Sequence, residues 1–250
     1  MLRDFSKMKF DIIIQGGQSN AAGTGFGPAT DPVWYGDRMW YIDEDFAIYR
    51  ARESVYGNNI RGDMSLSFCR EYKNAGLLEE GRDLLVIRAA KGGTSFRAKQ
   101  WGLNDCLFLR MLELTHTAVE LNPENRIIAF TWHQGESDID GNASYETHYN
   151  NLNNLLNKTR DEFSMPEMPF IAGDFTRKWS EVHAEAVKPV RDAIIDVCKN
   201  NPNCAFVTTE GLLSNYEAGG DDETDIIHFC REDLYKLGAR YFQAYMTLKR

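Results

Sequence analysis

The segment Phe10–Asn20 reads FDIIIQGGQSN and joins an apolar run to a glycine-rich turn. The run Phe10–Ile14 is too short for a helix and rich in isoleucine, which is typical of a strand buried on both faces. The glycines after it permit a tight turn that would place Ser19 at the edge of a sheet. A serine in such a turn is more often a helix cap than a nucleophile, so Ser19 alone indicates no function.

Four further runs of this kind predict strands at Leu84–Ala89, Arg126–Trp132, Pro169–Ala172 and Cys204–Thr208. Helical patterns lie between and after them, at Ser65–Ala75, Asp105–Leu121, Ser144–Phe163, Val190–Lys199 with Pro189 as a first helical residue, and Glu232–Leu248. Strands that alternate with helices favour parallel pairing, with helices on both faces of the sheet. We therefore expect one α/β/α domain over residues 1–250. Two long connections, Ala21–Asp63 and Glu210–His228, are expected to be functional loops.

The composition excludes several classes of partner. Of 250 residues, 43% are hydrophobic and 26% charged, which is ordinary for a globular protein. With 28 Lys and Arg against 37 Asp and Glu the net charge is −9, so nucleic acid and an anionic membrane surface are unfavourable partners. Residues 1–7 lack an apolar run of signal-peptide length. We expect a cytoplasmic protein unless a signal sequence has been removed from the chain. Five cysteines without a CxxC pair predict free thiols rather than disulfides or a zinc ribbon.

Polar residues and glycines follow the predicted strands, whose carboxyl ends meet at one edge of a parallel sheet. Gly92 and Gly93 could present backbone N–H groups to an oxyanion, and the side-chain amide of Gln134 could donate to the same oxygen. Asp225 and His228 lie three residues apart in one turn. A carboxylate there could hold the imidazole Nδ1 proton and leave Nε2 as a base.

These blocks resemble those of the SGNH (GDSL-like) hydrolase superfamily. The matching segments are Gly17–Asn20, Gly92–Ser95, Trp132–Asp138 and Asp225–His228. Within the superfamily they are most similar to the branch of sialate O-acetylesterases and carbohydrate esterase family 6 acetylxylan esterases. The resemblance spans nearly the whole chain and implies a flavodoxin-like three-layer sandwich with a five-stranded parallel sheet.

The resemblance also implies roles for individual residues. Ser19 is the expected nucleophile and His228 the expected base. Asp225 and Glu136 both remain candidates for the acid that orients the imidazole, and we expect Asp225 to carry the main share because its geometry with His228 is local.

The N–H groups of Ser19 and Gly92, with Gly93 as the adjacent possibility, and the Gln134 amide are expected to form the oxyanion hole. Trp101 and His133 are expected to contact the substrate. The implied reaction is removal of acetyl groups from a carbohydrate through an acyl-enzyme, with a small-molecule or oligosaccharide acetyl ester as substrate and no cofactor.

Two other interpretations stay open from the sequence. His133, Glu136 and Asp138 could ligate a metal in a metal-dependent hydrolase, although no HExxH helix accompanies them. Alternatively, a sugar-binding protein could keep the fold without catalysis, with aromatic residues such as Trp34 and Tyr35 stacking on sugar rings. Release of acetate with and without a chelator separates the three interpretations.

Overall fold

A computed structural model describes residues 4–249, so residues 1–3 and 250 of the predicted domain lie outside the described part of the chain. The elements in chain order are β1 (Lys9–Gly17), α1 (Ser19–Ala22), β2 (Tyr35–Ile42), β3 (Ile48–Arg52), β4 (Ser54–Tyr56), β5 (Asn59–Arg61), α2 (Met64–Asn74), β6 (Arg82–Arg88), α3 (Cys106–Glu120), β7 (Arg126–His133), α4 (Glu136–Asp140), α5 (Tyr145–Glu162), β8 (Phe170–Gly173), α6 (Arg177–Val182), α7 (Ala184–Asn200), β9 (Cys204–Val207) and α8 (Arg231–Met246).

The central sheet has the strand order β3-β2-β6-β1-β7-β8-β9. All neighbouring pairs are parallel except β2 and β3, which are antiparallel. The five predicted strands are β1, β6, β7, β8 and β9, and counted along the chain they lie in the order 2-1-3-4-5 of flavodoxin-like sheets. The predicted α/β/α class is therefore confirmed.

The predicted strand count was wrong, because the sheet has seven strands rather than five. The additional β2 and β3 lie in the segment Ala21–Asp63, which the sequence predicts to be one long loop. Its apolar part, Met39–Ile42, pairs with β6 and is buried, whereas the first half of β2 is polar and hid the strand pattern.

Alternation along β1 divides the core into two layers. Ile12 and Ile14 pack in the layer that contains residues of α3, α5 and α7, whereas Ile13 packs in the layer that contains residues of α2 and α8. A buried strand must present apolar side chains to both layers, which explains the three consecutive isoleucines Ile12–Ile14. Within residues 4–249, no helix has the length and apolar character needed to cross a membrane.

The helix α7 begins at Ala184, six residues before the predicted start at Val190. Pro189 therefore lies inside the helix, whereas the sequence pattern predicted it to be the first helical residue. Proline removes one backbone hydrogen bond, here to the carbonyl of Glu185, which is exposed and can be hydrated. The helix tolerates this loss because it falls near its N-terminal end.

Gly17 connects the end of β1 to the end of β7. Its φ is +125°, and a Cβ at this position would collide with the backbone carbonyl of His133. Only glycine adopts this close approach without strain. The N–H of Gln18 then donates to the same carbonyl at 2.9 Å, and Ser19 follows directly. The serine is thereby placed where the strand order reverses, which is the usual ligand-binding position in open α/β sheets.

Candidate functional site

Ser19, His228 and Asp225 form one chain of hydrogen bonds at this edge of the sheet. Ser19 is the first residue of α1, and the other two lie in the connection between β9 and α8. The Oγ of Ser19 is 3.0 Å from Nε2 of His228, and Nδ1 of His228 is 2.6 Å from Oδ1 of Asp225. Because an ionised carboxylate only accepts, Nδ1 carries the proton and Nε2 is free to accept from the serine hydroxyl.

The second oxygen of the Asp225 carboxylate is held by Asn215, whose Nδ2 donates to Oδ2 at 2.7 Å. Asn215 is itself fixed, since its Oδ1 accepts from the Phe26 N–H at 2.8 Å and its own N–H donates to the carbonyl of His228 at 2.8 Å. Burial by itself raises the pKa of Asp225, but the hydrogen bonds from His228 and Asn215 outweigh burial and lower that pKa below its usual value. Asp225 is therefore a carboxylate at neutral pH.

Asn20 makes hydrogen bonds to the backbone of both residues that flank His228 in the sequence. Its Nδ2 donates to the carbonyl of Ile227 at 3.1 Å, and its Oδ1 accepts from the N–H of Phe229 at 3.1 Å. The same Nδ2 donates to Oε1 of Glu136 at 2.9 Å. Hydrogen bonds thus link Glu136 to the His228 backbone through Asn20, whereas Asp225 contacts the His228 imidazole directly.

Glu136 and His133 are both buried, with side chains 1% and 0% exposed, and Oε1 of Glu136 lies 3.9 Å from Nε2 of His133. Burial raises the pKa of Glu136 to about 7, although hydrogen bonds from Asn20 and backbone groups oppose this. Burial lowers the pKa of His133 to about 4, so its imidazole is neutral at physiological pH. Glu136 and His133 together therefore carry at most one negative charge next to Asn20.

The raised pKa of Glu136 predicts how stability depends on pH. Between the ordinary carboxyl pKa of 4.5 and about 7, the folded chain keeps a proton that the unfolded chain releases. The contribution of Glu136 to the free energy of unfolding should therefore fall as the pH rises through this window. Glu136→Gln removes this contribution, whereas the neutral buried His133 contributes with the opposite sign. From pH 5 to pH 8 the melting temperature of the variant should therefore fall less, or rise more, than that of the unmodified protein.

Circular dichroism melts at the two pH values measure this difference. Glu44→Gln is the matched control, because Glu44 is exposed and pairs with Lys91 at the surface. The control should keep the pH dependence of the unmodified protein. Equal pH dependence in Glu136→Gln and the control would contradict the assignment.

Gly92 lies beside Ser19 on the loop after β6. A Cβ built on Gly92 would lie 3.7 Å from the Cβ of Ser19, and the glycine itself is exposed. The N–H of Lys91 donates to the carbonyl of Gly17 at 3.0 Å, which ties this loop to the turn before the serine. Gly93 follows with φ of +69°. The structure thus brings the predicted glycine pair to the predicted serine.

The side-chain amide of Gln134, predicted to be an oxyanion donor, makes hydrogen bonds inside the protein. It is fully buried, and its Nε2 donates to Oδ2 of Asp138 at 2.7 Å and to the carbonyl of Thr94 at 3.2 Å. The neighbouring carboxylate fixes this orientation, because it repels the amide oxygen and accepts from the amide nitrogen. Both N–H bonds of the amide have acceptors, so this geometry does not support Gln134 as a donor to an oxyanion at Ser19.

Comparison with known proteins places these features in one family. The family model named SASA, described as "carbohydrate esterase, sialic acid-specific acetylesterase", matches residues 9–247. The chain belongs to the SASA family. The SASA family consists of carboxylic ester hydrolases that act as carbohydrate acetylesterases, and the resemblance stated from the sequence motifs is thereby confirmed.

Two curated relatives and one solved structure are similar to this SASA-family chain. A probable carbohydrate esterase of Arabidopsis thaliana is 25% identical over 254 residues, covering 94% of this chain and 90% of that protein. A probable 9-O-acetyl-N-acetylneuraminic acid deacetylase of Escherichia coli K12 is 27% identical over 127 residues, covering 42% of this chain and 39% of that protein. The crystal structure of NanS superimposes with a TM-score of 0.79 at 17% identity, covering 96% of this chain and 97% of that one, which shows the shared fold.

The substrate contacts predicted for Trp101 and His133 are not supported in this SASA-family chain. Trp101 is 0% exposed, and its Nε1 donates to Oγ1 of Thr94 at 2.9 Å. His133 is 1% exposed, with Nδ1 3.0 Å from the hydroxyl of Tyr241. Both side chains lie in the interior and present no surface to a sugar.

The side chains considered as metal ligands have separate partners. Asp138 accepts from the N–H groups of Phe96 and Arg97 at 3.2 and 3.0 Å, while Glu136 accepts from Asn20. Among residues 4–249, no group of three His, Cys, Asp or Glu side chains is arranged to hold a metal ion.

Two residues of the site were missed in the sequence analysis as functional groups. Asn20 stood inside the recognised GQSN block, and an asparagine next to the candidate nucleophile was an available signal. Asn215 had no such signal, because it lies ten residues before Asp225 in a long connection and meets it only in the folded chain.

Proposed function

We propose that this chain removes O-acetyl groups from a carbohydrate through a covalent acetyl-serine intermediate, with Ser19, His228 and Asp225 as a catalytic triad. The observation that carries the proposal is the continuous hydrogen-bonded chain from Ser19 Oγ through the imidazole to Asp225. A nucleophile, a base and an orienting acid in this geometry are the parts that acyl transfer needs. Membership of a carbohydrate esterase family supports acetyl as the acyl group and a sugar as the alcohol of the ester.

Acylation begins when Ser19 Oγ forms a bond to the acetyl carbonyl carbon and its proton moves to Nε2 of His228. The carbonyl oxygen becomes an oxyanion, which accepts hydrogen bonds from the N–H groups of Ser19 and Gly92. The bond between the carbonyl carbon and the sugar oxygen then breaks. The sugar leaves as an alcohol after taking the proton from His228, and the acetyl group remains on Ser19.

Deacylation repeats these steps with water as the nucleophile. His228 takes a proton from water, the hydroxyl adds to the acetyl carbon, and the bond to Ser19 Oγ breaks as the serine recovers its proton. Acetate is released. Asp225 stays ionised throughout and stabilises the imidazolium, in agreement with the lowered pKa of its carboxyl group.

The proposal is tested by acetate release from a panel of acetylated xylan, O-acetylated sialic acid and an aryl acetate. The names of the relatives, a carbohydrate esterase and an acetylneuraminic acid deacetylase, support the two sugar esters as substrates. We expect hydrolysis of the aryl acetate and of at least one sugar ester, unchanged by a chelator. Loss of the activity with a chelator would contradict the serine mechanism and favour the metal-dependent alternative.

Asn20→Ala is expected to lower kcat by about 10², because small displacements of a catalytic group cost on this order in rate. The variant releases the backbone on both sides of His228 but leaves the triad side chains in place. Steady-state kinetics on an aryl acetate measure the effect, with KM little changed.

The control for this prediction is Asn200→Ala, which removes an exposed asparagine at the end of α7 that donates to the hydroxyl of Tyr149. The control should retain full activity. If Asn20→Ala kept its kcat while folding normally, the hydrogen bonds of Asn20 to the backbone would have no role in positioning His228.

A further inference from the structure

A cavity of about 860 Å³ lies between the start of β2, β3 and the last residue of β6, and it has no assigned role. Its lining includes Trp34, Tyr35, Tyr49, Arg52, Val55 and Arg88. This volume lies within the range of about 300–1,000 Å³ that is typical of small-molecule sites. Aromatic faces and guanidinium groups together suit a ligand that has both apolar C–H faces and hydroxyl groups.

One residue of the cavity wall, Arg88, is hydrogen-bonded to the short helix that begins at the nucleophile. Arg88 ends β6, which pairs with β1, and neighbouring strands lie only about 4.8 Å apart. The guanidinium of Arg88 donates to the carbonyl of Ala22 at 2.6 Å, and Ala22 ends the short helix α1 that begins at Ser19.

A second residue of the cavity wall, Trp34, contacts the segment that follows His228. The guanidinium carbon of Arg231 lies 4.8 Å from the ring centroid of Trp34, and Arg231 follows His228 by three residues. The backbone N–H of Arg231 donates to the carbonyl of Phe26 at 2.9 Å. The N–H of Phe26 in turn donates to Asn215, which holds Asp225. Contacts and hydrogen bonds therefore link Arg88 and Trp34 of the cavity wall to residues that flank or hold the catalytic chain.

Trp34 is held in one position by a buried ion pair. Arg231, stacked on the indole, donates to both oxygens of Glu53 at 2.8 and 2.7 Å, and these two side chains are 7% and 1% exposed. Tyr235 donates to Glu53 at 2.7 Å and accepts from the N–H of Val33, next to Trp34, at 3.0 Å. The N–H of Glu53 donates to the carbonyl of Trp34 at 3.3 Å. A buried ion pair adds little net stability on average. Its structural consequence here is that the guanidinium of Arg231 is held against the indole ring of Trp34.

The ring that this ion pair holds is nevertheless 48% exposed. An immobilised ring loses little conformational entropy when a ligand stacks on it, which favours binding. Arg52 is exposed at the same cavity and offers guanidinium N–H groups that can donate to sugar hydroxyls. The surroundings of Trp34 therefore match one face and the polar rim of a pyranose.

We propose that Trp34 is the stacking platform of a sugar subsite, on which a pyranose ring of the acetylated carbohydrate lies while its acetyl group reaches Ser19. This inference rests on the proposed esterase function and adds the residue that recognises the sugar part of the substrate. The subsite binds the part of the ester that an aryl acetate lacks.

The test compares Trp34→Ala with the unmodified protein on two kinds of ester. Loss of one aromatic contact should raise KM for acetylated xylo-oligosaccharide or O-acetylated sialic acid about tenfold more than KM for an aryl acetate. The kcat values should change little. Tyr56→Ala is the matched control, because Tyr56 is a 63% exposed ring that also stacks on an arginine, Arg61 at 4.1 Å, but does not line the cavity. The control should behave as the unmodified protein on both esters.

Three outcomes would overturn the inference while leaving the esterase function intact. They are an unchanged KM for the sugar esters in Trp34→Ala, equal increases in KM for sugar and aryl esters, and an equal sugar-specific loss in Tyr56→Ala. Failure of the esterase function itself is a different result, since the unmodified protein would then release no acetate from the aryl ester. Trp34→Phe, which keeps an aromatic face, should recover most of the sugar-specific loss and guards against misfolding of the alanine variant.

Discussion

Ser19→Ala is expected to lower the hydrolysis of an aryl acetate by about 10⁴ or more while leaving the fold unchanged. The hydroxyl is the attacking group in the proposed mechanism, and no other oxygen in the chain Ser19–His228–Asp225 can replace it. Ser19 is buried at the edge of the sheet, but the alanine variant removes only the hydroxyl oxygen, so little packing is lost. Initial rates with purified protein, together with a circular dichroism spectrum, measure the two parts of this prediction.

Ser137→Ala provides the matched control, because Ser137 lies on α4 at the same edge and is half-buried. This variant should retain its activity. A sulfonyl fluoride should label Ser19 in the unmodified protein, detected by mass spectrometry of the peptide, and should not label Ser19→Ala. Full activity of folded Ser19→Ala would disprove the serine mechanism.

Asp225→Asn is expected to reduce kcat by about 10⁴, the loss found when the amide replaces an orienting carboxylate in such a triad. The amide keeps the shape of the side chain but can donate to Nδ1, which favours the tautomer that has its proton on Nε2. That tautomer cannot accept the proton of Ser19. The direct contact of 2.6 Å between Asp225 and Nδ1 of His228 motivates the prediction.

Glu136→Gln should cost far less than Asp225→Asn when both are measured on the same aryl acetate near neutral pH. Glu136 accepts a hydrogen bond from Asn20, and the amide oxygen of a glutamine can accept the same bond. The comparison also decides between the two acids that the sequence left open. A larger loss in Glu136→Gln than in Asp225→Asn would make Glu136 the acid of the triad and Asp225 a residue of the loop.

Local pattern was sufficient for the class of fold and for the chemically central residues. Buried parallel strands need apolar side chains on both faces, so β1, β6, β7, β8 and β9 are visible as short apolar runs. Parallel strands present their carboxyl ends at one edge, so polar residues after those runs were expected to meet there. Ser19, Gly92 and His228 do meet, and the contact of Asp225 with His228 follows from their spacing within one turn.

Edge strands and buried side chains were not visible in the same way. The half-polar β2 and the short β3 join the sheet only because β6 offers a pairing edge, and an isolated sequence pattern does not contain that partner. Trp101 resembles a surface aromatic in the sequence, but the folded chain packs it into the interior.

The sequence by itself determined the three-layer class, the edge at which the site lies and the order Ser19, glycine loop, Asp225, His228, because each depends on contacts close in the chain or on strand direction alone. Only the tertiary structure decided that the second candidate acid, Glu136, hydrogen-bonds to Asn20 and that Asn215 holds the Asp225 carboxylate. The contacts of Asn20 with Glu136 and Ile227 span 116 and 207 residues. Likewise, the buried pair of Glu53 and Arg231 that holds Trp34 spans 178 residues. Hydrogen bonds across such separations depend on where the whole sheet and its loops bring the chain, which no local spacing specifies.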